Sequence, residues 1–426
     1  MLLRKYAALV ALSAALFSVS SVTQAQNAPK PPSGFKALFD GKSLDGWQLI
    51  GGHGRGYIVE NGILTCPKDG GGNLFTTTEY SDFVLKLEFR TEAGGNNGVG
   101  LRAPREGDAA YQGMECQVLD DYDAQYANLE PGQYCGSIYK VAAAKRGALK
   151  KAGEWQSYEI TCKGRQVKVV LNGQTIVDAD LNKVVDPKTI AEHPGMMRDK
   201  GFVGFLGHNS FVEFKNIFIK DISKPEKDNV APAGFKALFN GRDFTGWKGL
   251  VKDPPARAKM TPEQLEAEQK AADQQMTDHW KIVDGVLNYD GKGNSLCTVK
   301  DYRNFEMLVD WKIGEKGDSG IYLRGSPQIQ IWDRVEGSGG LYNNQKNPSN
   351  PTKRADKPVG EWNRFRIVMI GDKVTVYLNG ELVVHNVTME NYWERDKPIY
   401  PTGQLELQHH GDHLYFKNVY VRELPD

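Results

Sequence analysis

The feature that most limits what this chain can fold into is its internal duplication. Gly34-Phe-Lys-Ala-Leu-Phe-Asp-Gly41, running on to Gly46-Trp47, returns 200 residues later as Gly234-Phe-Lys-Ala-Leu-Phe-Asn-Gly241, running on to Gly246-Trp247. Further echoes follow in the same order. Val59-Glu-Asn-Gly62 pairs with Val283-Asp-Gly285, and Tyr80 to Arg90 with Tyr302 to Lys312. Gly98-Val-Gly-Leu-Arg102 pairs with Gly320-Ile-Tyr-Leu-Arg324, and Gly153-Glu-Trp155 with Gly360-Glu-Trp362. Leu171-Asn-Gly173 pairs with Leu378-Asn-Gly380, and Phe214-Lys-Asn216 with Phe416-Lys-Asn418. A repeat of this period is a duplicated domain rather than a solenoid unit. The boundary falls in the polar, proline-containing linker 224–233, between a first domain at 26–223 and a second at 234–426.

Within each copy the periodicity is that of strands. Phe83-Val-Leu-Lys-Leu-Glu-Phe-Arg90 alternates apolar and polar residues, and so does Phe305 to Lys312. Asn172-Gly173 and Asn379-Gly380 each join two strand-like runs, as a two-residue type I′ hairpin requires. Many short strands between Gly and Asn turns predict an all-β chain of two tandem antiparallel sandwiches. One insertion breaks the symmetry: the second copy carries extra residues between Trp247 and Trp280. Thr261-Pro-Glu-Gln264 is a capping box there, with Pro at the first helical position, and predicts one surface helix to Met276. A solvated helix covering a sheet edge is the plainer reading of it, and a lid over a site the sharper one.

Other features bound the class of protein. The 426 residues carry 53 Lys+Arg and 53 Asp+Glu, without the basic excess of a nucleic-acid binder. A mean hydropathy of −0.50 excludes a polytopic membrane protein. Residues 1–25 read as a removed secretory signal: Arg4 and Lys5, an apolar run from Tyr6 to Val19, then Thr23-Gln24-Ala25 as the cleavage site. That places the mature, slightly acidic chain outside the cytoplasm. The five cysteines match no metal spacing, and an odd count leaves at least one free.

Period-two alternation sorts polar residues onto one face of each copy. In the second copy that face would carry Asp310, Tyr322, Arg324, Gln328, Gln330, Trp332, Glu406, Gln408 and His410, provided the strands share a sheet. In the first it would carry Glu88, Arg102, Glu115, Gln117 and His208. Glu115 stands where the second copy has Gln328, and Gly204 where it has Glu406. Amides, carboxylates, a guanidinium and a flat ring suit the paired donors and acceptors and the apolar faces of a sugar. A solvated outer sheet face is the plainer alternative. His409, His410 and His413 do not read as a zinc site, because alternation sends His409 and His410 to opposite faces.

These motifs, with Glu115-Cys-Gln-Val-Leu-Asp120 and Leu407-Gln-His-His-Gly411, resemble the 3-keto-disaccharide hydrolase domain family, over nearly the whole chain after residue 25 and twice. The resemblance implies concanavalin-like jelly rolls, secreted carbohydrate processing in a bacterial periplasm and a glycoside or oligosaccharide partner. It implies no organic cofactor, leaves a divalent metal open and does not set the oligomeric state. It also implies cleavage of glycosides oxidised at C3, by elimination or hydrolysis. A C3 ketone acidifies the C2 proton, so the reaction needs a base near C2, a donor at the enolate oxygen and an acid near the leaving oxygen. In the first copy His208 and Glu115 are expected to share the roles of base and acid, in either order, with Arg102 at the oxyanion. In the second, His410 is the expected base, Arg324 the oxyanion partner, and Asp310 or Glu406 the carboxylate. Tyr139 and Tyr342 are expected to bind sugar. Two alternatives stand beside this: a carbohydrate-binding protein without catalysis, and a conventional glycosidase with paired carboxylates.

Overall fold

The computed structural model describes residues 30–326 and 328–426. The expected signal segment, 1–25, lies outside the described residues. Two β-sandwiches of matching topology follow one another along the chain. In the first, an eight-stranded antiparallel sheet runs in the order Gln174–Asp180, Gln166–Leu171, Gln156–Lys163, Phe83–Thr91, Val212–Asp221, Ile63–Cys66, Ile58–Glu60, with Lys36–Ala37 pairing on Val212–Asp221. It faces a five-stranded sheet ordered Trp47–Gly54, Gly70–Tyr80, Gly201–Gly207, Asn96–Ala103, Met114–Leu119. The second sandwich repeats both sheets, its five-stranded one ordered Trp247–Gly249, Leu296–Thr298, Leu405–Leu407, Asp318–Leu323, Gln328–Trp332.

Alternation builds each core. Phe83, Leu85, Leu87 and Phe89 are buried while their neighbours are half-buried. They meet Val99, Leu101, Cys116 and Val118 from the other sheet. The predicted hairpins form, with Asn172 at φ 49° and Gly173 at φ 82°, and Asn379 and Gly380 at 55° and 88°. Positive φ at both central residues is what a type I′ turn demands. All five cysteines are buried and free.

The insertion forms the helix Pro262–His279, capped by Thr261 and Gln264 as its sequence predicts and three residues longer than expected. It packs along Trp247–Gly249, the edge strand of the five-stranded sheet. The contact is close: a Cβ on Gly249 would sit 2.1 Å from the carbonyl of Ala272. The Gly249 amide donates to Asp273 at 2.9 Å. The helix therefore covers an edge, and it also roofs a cavity, described below.

The two sandwiches are joined through the outer face of the second eight-stranded sheet. In the strand Phe305–Ile313 even the outward Glu306, Leu308 and Asp310 are buried. Glu306 is fully buried between Arg366 and Arg422. Arg366 reaches across to Asp199, and Arg422 donates to the Asn182 carbonyl at 2.8 Å. The Tyr377 hydroxyl donates to Pro194 O at 2.5 Å. Val368, Tyr377 and Leu424 pack into the first sandwich's core. The linker is held as well: Glu226 pairs with Arg364 at 2.7 Å and Asp228 with Lys417 at 2.7 Å.

Candidate active site

In the first sandwich the outward face of the five-stranded sheet brings Glu115 and His208 together. Glu115 lies on Met114–Leu119, and His208 follows directly on Gly201–Gly207. Register places Gly100 opposite Glu115 and Gly98 opposite Gln117, so the carboxylate lies over glycine backbone. Nε2 of His208 is 3.5 Å from Oε1 of Glu115; the imidazole side is 44% exposed and the carboxylate 3%. Oε1 has no hydrogen-bond partner among the described residues. Glu115 holds the His208 pKa above the ordinary histidine value, against the opposing effect of burial, and Asp108 adds to the rise.

Aromatic and amide groups border this pair. The Tyr139 amide donates to Glu115 O at 2.8 Å. Its hydroxyl accepts from Gln133 Nε2 at 3.2 Å. Tyr111 meets Tyr139 edge-on at 6.1 Å and stacks on His193 at 4.7 Å. Gln117 donates to Asn96 at 2.8 Å. Phe75 covers the middle of the face with Leu206, Ala103 and Ala109. It occupies the space over Gly100 and Gly204, where added Cβ atoms would lie 3.3 and 2.5 Å from its ring.

The second sandwich keeps the frame and exchanges the contents. Gln328 takes the place of Glu115 and lies over Gly320. It donates to Gln330, which donates to Asp318 at 2.7 Å, while Gln328 Oε1 is buried without a partner among the described residues. Cys297 stands at the register position of Phe75, Tyr322 at that of Gly100 and Glu406 at that of Gly204. Glu406 and Tyr322 open into a cavity of about 410 Å³ that also takes in Gln408, Ser295, His409 and Trp393. Burial pushes the Glu406 carboxyl up to about 7, with Arg257 opposing. Ser295 Oγ lies 2.8 Å from Nδ1 of His409.

Comparison with known proteins agrees with this frame. The model of the 3-keto-alpha-glucoside-1,2-lyase-like domain matches residues 34–220 and again 234–422. The chain belongs to the 3-keto-alpha-glucoside-1,2-lyase-like domain family. A 3-keto-disaccharide hydrolase of Bacteroides thetaiotaomicron is 23% identical over 269 residues, spanning 49% of this chain and 86% of its own. A solved glycosyl hydrolase structure from Parabacteroides distasonis is 29% identical, covers 44% of this chain and 99% of its own, with a TM-score of 0.40. A second from the same organism is 26% identical, covers 45% and 94%, with a TM-score of 0.39. The family's name points to an enzyme acting on carbohydrate, and the relative's name to one of hydrolase type.

Within this family fold, several expected site residues lie elsewhere. Asp310 and Glu88 are on the eight-stranded sheets, not with the other candidates. Asp310 is bound by Arg364 at 2.6 Å and Asn418 at 2.7 Å in the joint between sandwiches. Glu88 accepts from Asn216 at 2.6 Å. Alternation fixes the face of a strand but not which sheet of a sandwich the strand enters. Arg102 and Arg324 are buried at positive φ, 50° and 56°. Their guanidinium groups are spent on the chain itself: Arg102 on the carbonyls of Ser81, Gly164 and Arg198 and on Asp82. Arg324 is spent on those of Gly371, Tyr400 and Arg303 and on Asn304 Oδ1. Neither faces a reacting oxygen, because the left-handed residue turns the side chain off the strand's outward row. Trp332 donates to Gly337 O at 2.7 Å, away from the Glu406 cavity. His410 is exposed, in the segment after Leu405–Leu407. Tyr342 is half-exposed near Tyr322. Sequence reading missed Tyr111, His193, Ser295 and Trp393 as neighbours of these faces, since each stands in a loop or short element without a readable period. The insertion alone left a signal, its capping box.

Proposed function

We propose that the first sandwich cleaves 3-keto-glycosides by removing the proton beside the ketone. The observation that carries the reading is the Glu115–His208 pair: a half-exposed imidazole against a buried carboxylate on the face the family frame presents. His208 takes the C2 proton on Nδ1, the ring nitrogen not facing Glu115, and the C2–H electrons enter the enolate of the C3 ketone. Glu115 orients the ring and stabilises the imidazolium, as a buried carboxylate does for a general base. The C1–O bond then breaks, and His208 returns its proton to the departing oxygen. Water adding at C1 completes hydrolysis; without it the product is the unsaturated keto sugar. Tyr139 accepts from Gln133 and so has its own hydroxyl proton to give to the enolate oxygen, the role first assigned to Arg102.

The same reading keeps residues 1–25 as a secretory signal cleaved after Ala25, with domains at 26–223 and 234–426, in a periplasmic protein. Sequencing the mature amino terminus tests that part. The chemistry is tested by incubating the full chain with a chromogenic 3-keto-glucoside and with its unoxidised parent. Release of the aglycone from the keto form alone is expected. Release from the parent would make it a conventional glycosidase, and release from neither would make it a binding protein. Loss of turnover in His208→Ala with retention in His410→Ala assigns the chemistry to the first sandwich.

A further inference from the structure

The second sandwich has lost the Glu–His arrangement, yet it holds the better enclosed space. Three exchanges set its sheet face apart from that of the first copy. Phe75 of the first copy, which fills the middle of its face, is replaced by the smaller Cys297, and two glycines are replaced by Tyr322 and Glu406. The insertion then closes the side: Ala271, Ala272 and Gln275 of the helix, with Asp253 and Pro254 before it, line the cavity of about 410 Å³.

The polar groups in it are short of partners. Glu406 is 4% exposed, and only burial and the more distant Arg257 act on its carboxyl. Gln408 Oε1 is buried and without a partner among the described residues. Trp393, on the wall, is anchored by its Nε1–H to Gly325 O at 2.7 Å and leaves 37% of its surface open. A cavity of this size fits one or two sugar units. A buried carboxyl without a cation bonded to it suits a neutral ligand, to which it offers one O–H and one C=O.

We propose that this cavity is a second sugar site, not equivalent to the first, which holds a neutral, unoxidised mono- or disaccharide between Trp393 and the row Tyr322, Glu406, Gln408. The ring face lies on Trp393, and adjacent hydroxyls meet the unpartnered oxygens. The charged and titratable groups around Glu406 are Arg257 from the insertion, Tyr322 and Cys297 from the neighbouring strands, with Lys248 beyond Cys297, and His409, Lys252, Asp253 and the helix residue Glu268 on the cavity wall. None is bonded to its carboxyl, so deprotonation would strip the O–H donor and leave an anion facing the sugar.

The test uses the full chain carrying Glu115→Gln and isothermal titration calorimetry with glucose, methyl α-glucoside, trehalose and sucrose, none of which carries a 3-keto group. Binding of at least one sugar, one per chain at pH 6.5, is expected. Glu406→Ala should weaken it at least tenfold, whereas Glu406→Gln, which keeps a neutral donor and acceptor, should retain it. Raising the pH to 9 should weaken binding at least tenfold while Glu406 is in place, and should leave binding by the Glu406→Gln variant unchanged. No binding of any of the four, or binding that survives Glu406→Ala and Trp393→Ala, overturns the proposal. Because Glu115→Gln removes the pair on which turnover is argued, failure here is separable from failure of the keto-glycoside reading.

Discussion

Gly98 runs directly beneath Glu115: a Cβ added at residue 98 would lie 1.9 Å from Oε1 of the carboxylate and 2.5 Å from its Cδ. The pair with His208 therefore depends on a backbone position that only glycine fills. The second copy keeps the relationship, Gly320 under Gln328, with the reactive group removed.

Gly98→Ala should displace the carboxylate by about an ångström without disturbing the sheet. A misplacement of that size costs about 10²-fold in rate. Kinetics on the keto-glucoside should show kcat falling by that order, with the circular dichroism spectrum unchanged. Unaltered kcat would mean that Glu115 does not act from this position.

The pH dependence follows from His208. Glu115 raises the imidazole pKa above its ordinary value of about 6.5. A base must be neutral, so kcat/KM should climb with pH along a limb whose midpoint lies above that value. Glu115→Gln should shift the midpoint downward as well as lower the plateau. A limb that stays in place in Glu115→Gln would separate the two residues functionally.

Arg102 is structural in this fold, and its removal should be read as stability. Arg102→Met leaves the carbonyls of Ser81, Gly164 and Arg198 and the Asp82 carboxylate without their donor. Leaving a buried acceptor without its donor costs about 1–3 kcal/mol. Urea unfolding should show a loss of that order, and Arg324→Met should do the same in the second sandwich. A stable Arg102→Met protein with abolished turnover would instead restore the oxyanion role.

The joint between the sandwiches should respond to acid. Arg366, Arg165 and Arg422 hold the Glu306 carboxyl down at about 2, against the opposing effect of its burial. Its folded pKa is depressed, so its stabilisation is complete above the unfolded value of about 4.5 and is lost as pH falls toward 2. Small-angle scattering should show the two sandwiches parting in that window. Glu306→Ala should part or destabilise them near neutral pH, because three arginines are left facing one another. Scattering unchanged down to pH 2 would show that apolar packing by Val368, Tyr377 and Leu424 is sufficient.

The sequence by itself determined the duplication, the strand alternation, the Asn-Gly hairpins, the capped helix of the insertion and the exchange of Glu115 for Gln328. Each is local: it rests on a period, a turn geometry or a direct comparison of two copies. Which strands share a sheet was decided only in three dimensions. Asp310 and Glu406 look alike in a period-two reading, yet one enters the sheet that docks on the first sandwich and the other the sheet that opens into a cavity. Arg102 and Arg324 sit in the right motif, but one residue at positive φ turns each side chain into the chain's own carbonyls. The cavity lies between a distant insertion laid over an edge strand and Tyr322 and Glu406, which stand where the other copy has glycines. Packing between segments from Leu250 to His409 creates such a space, and no single segment encodes it.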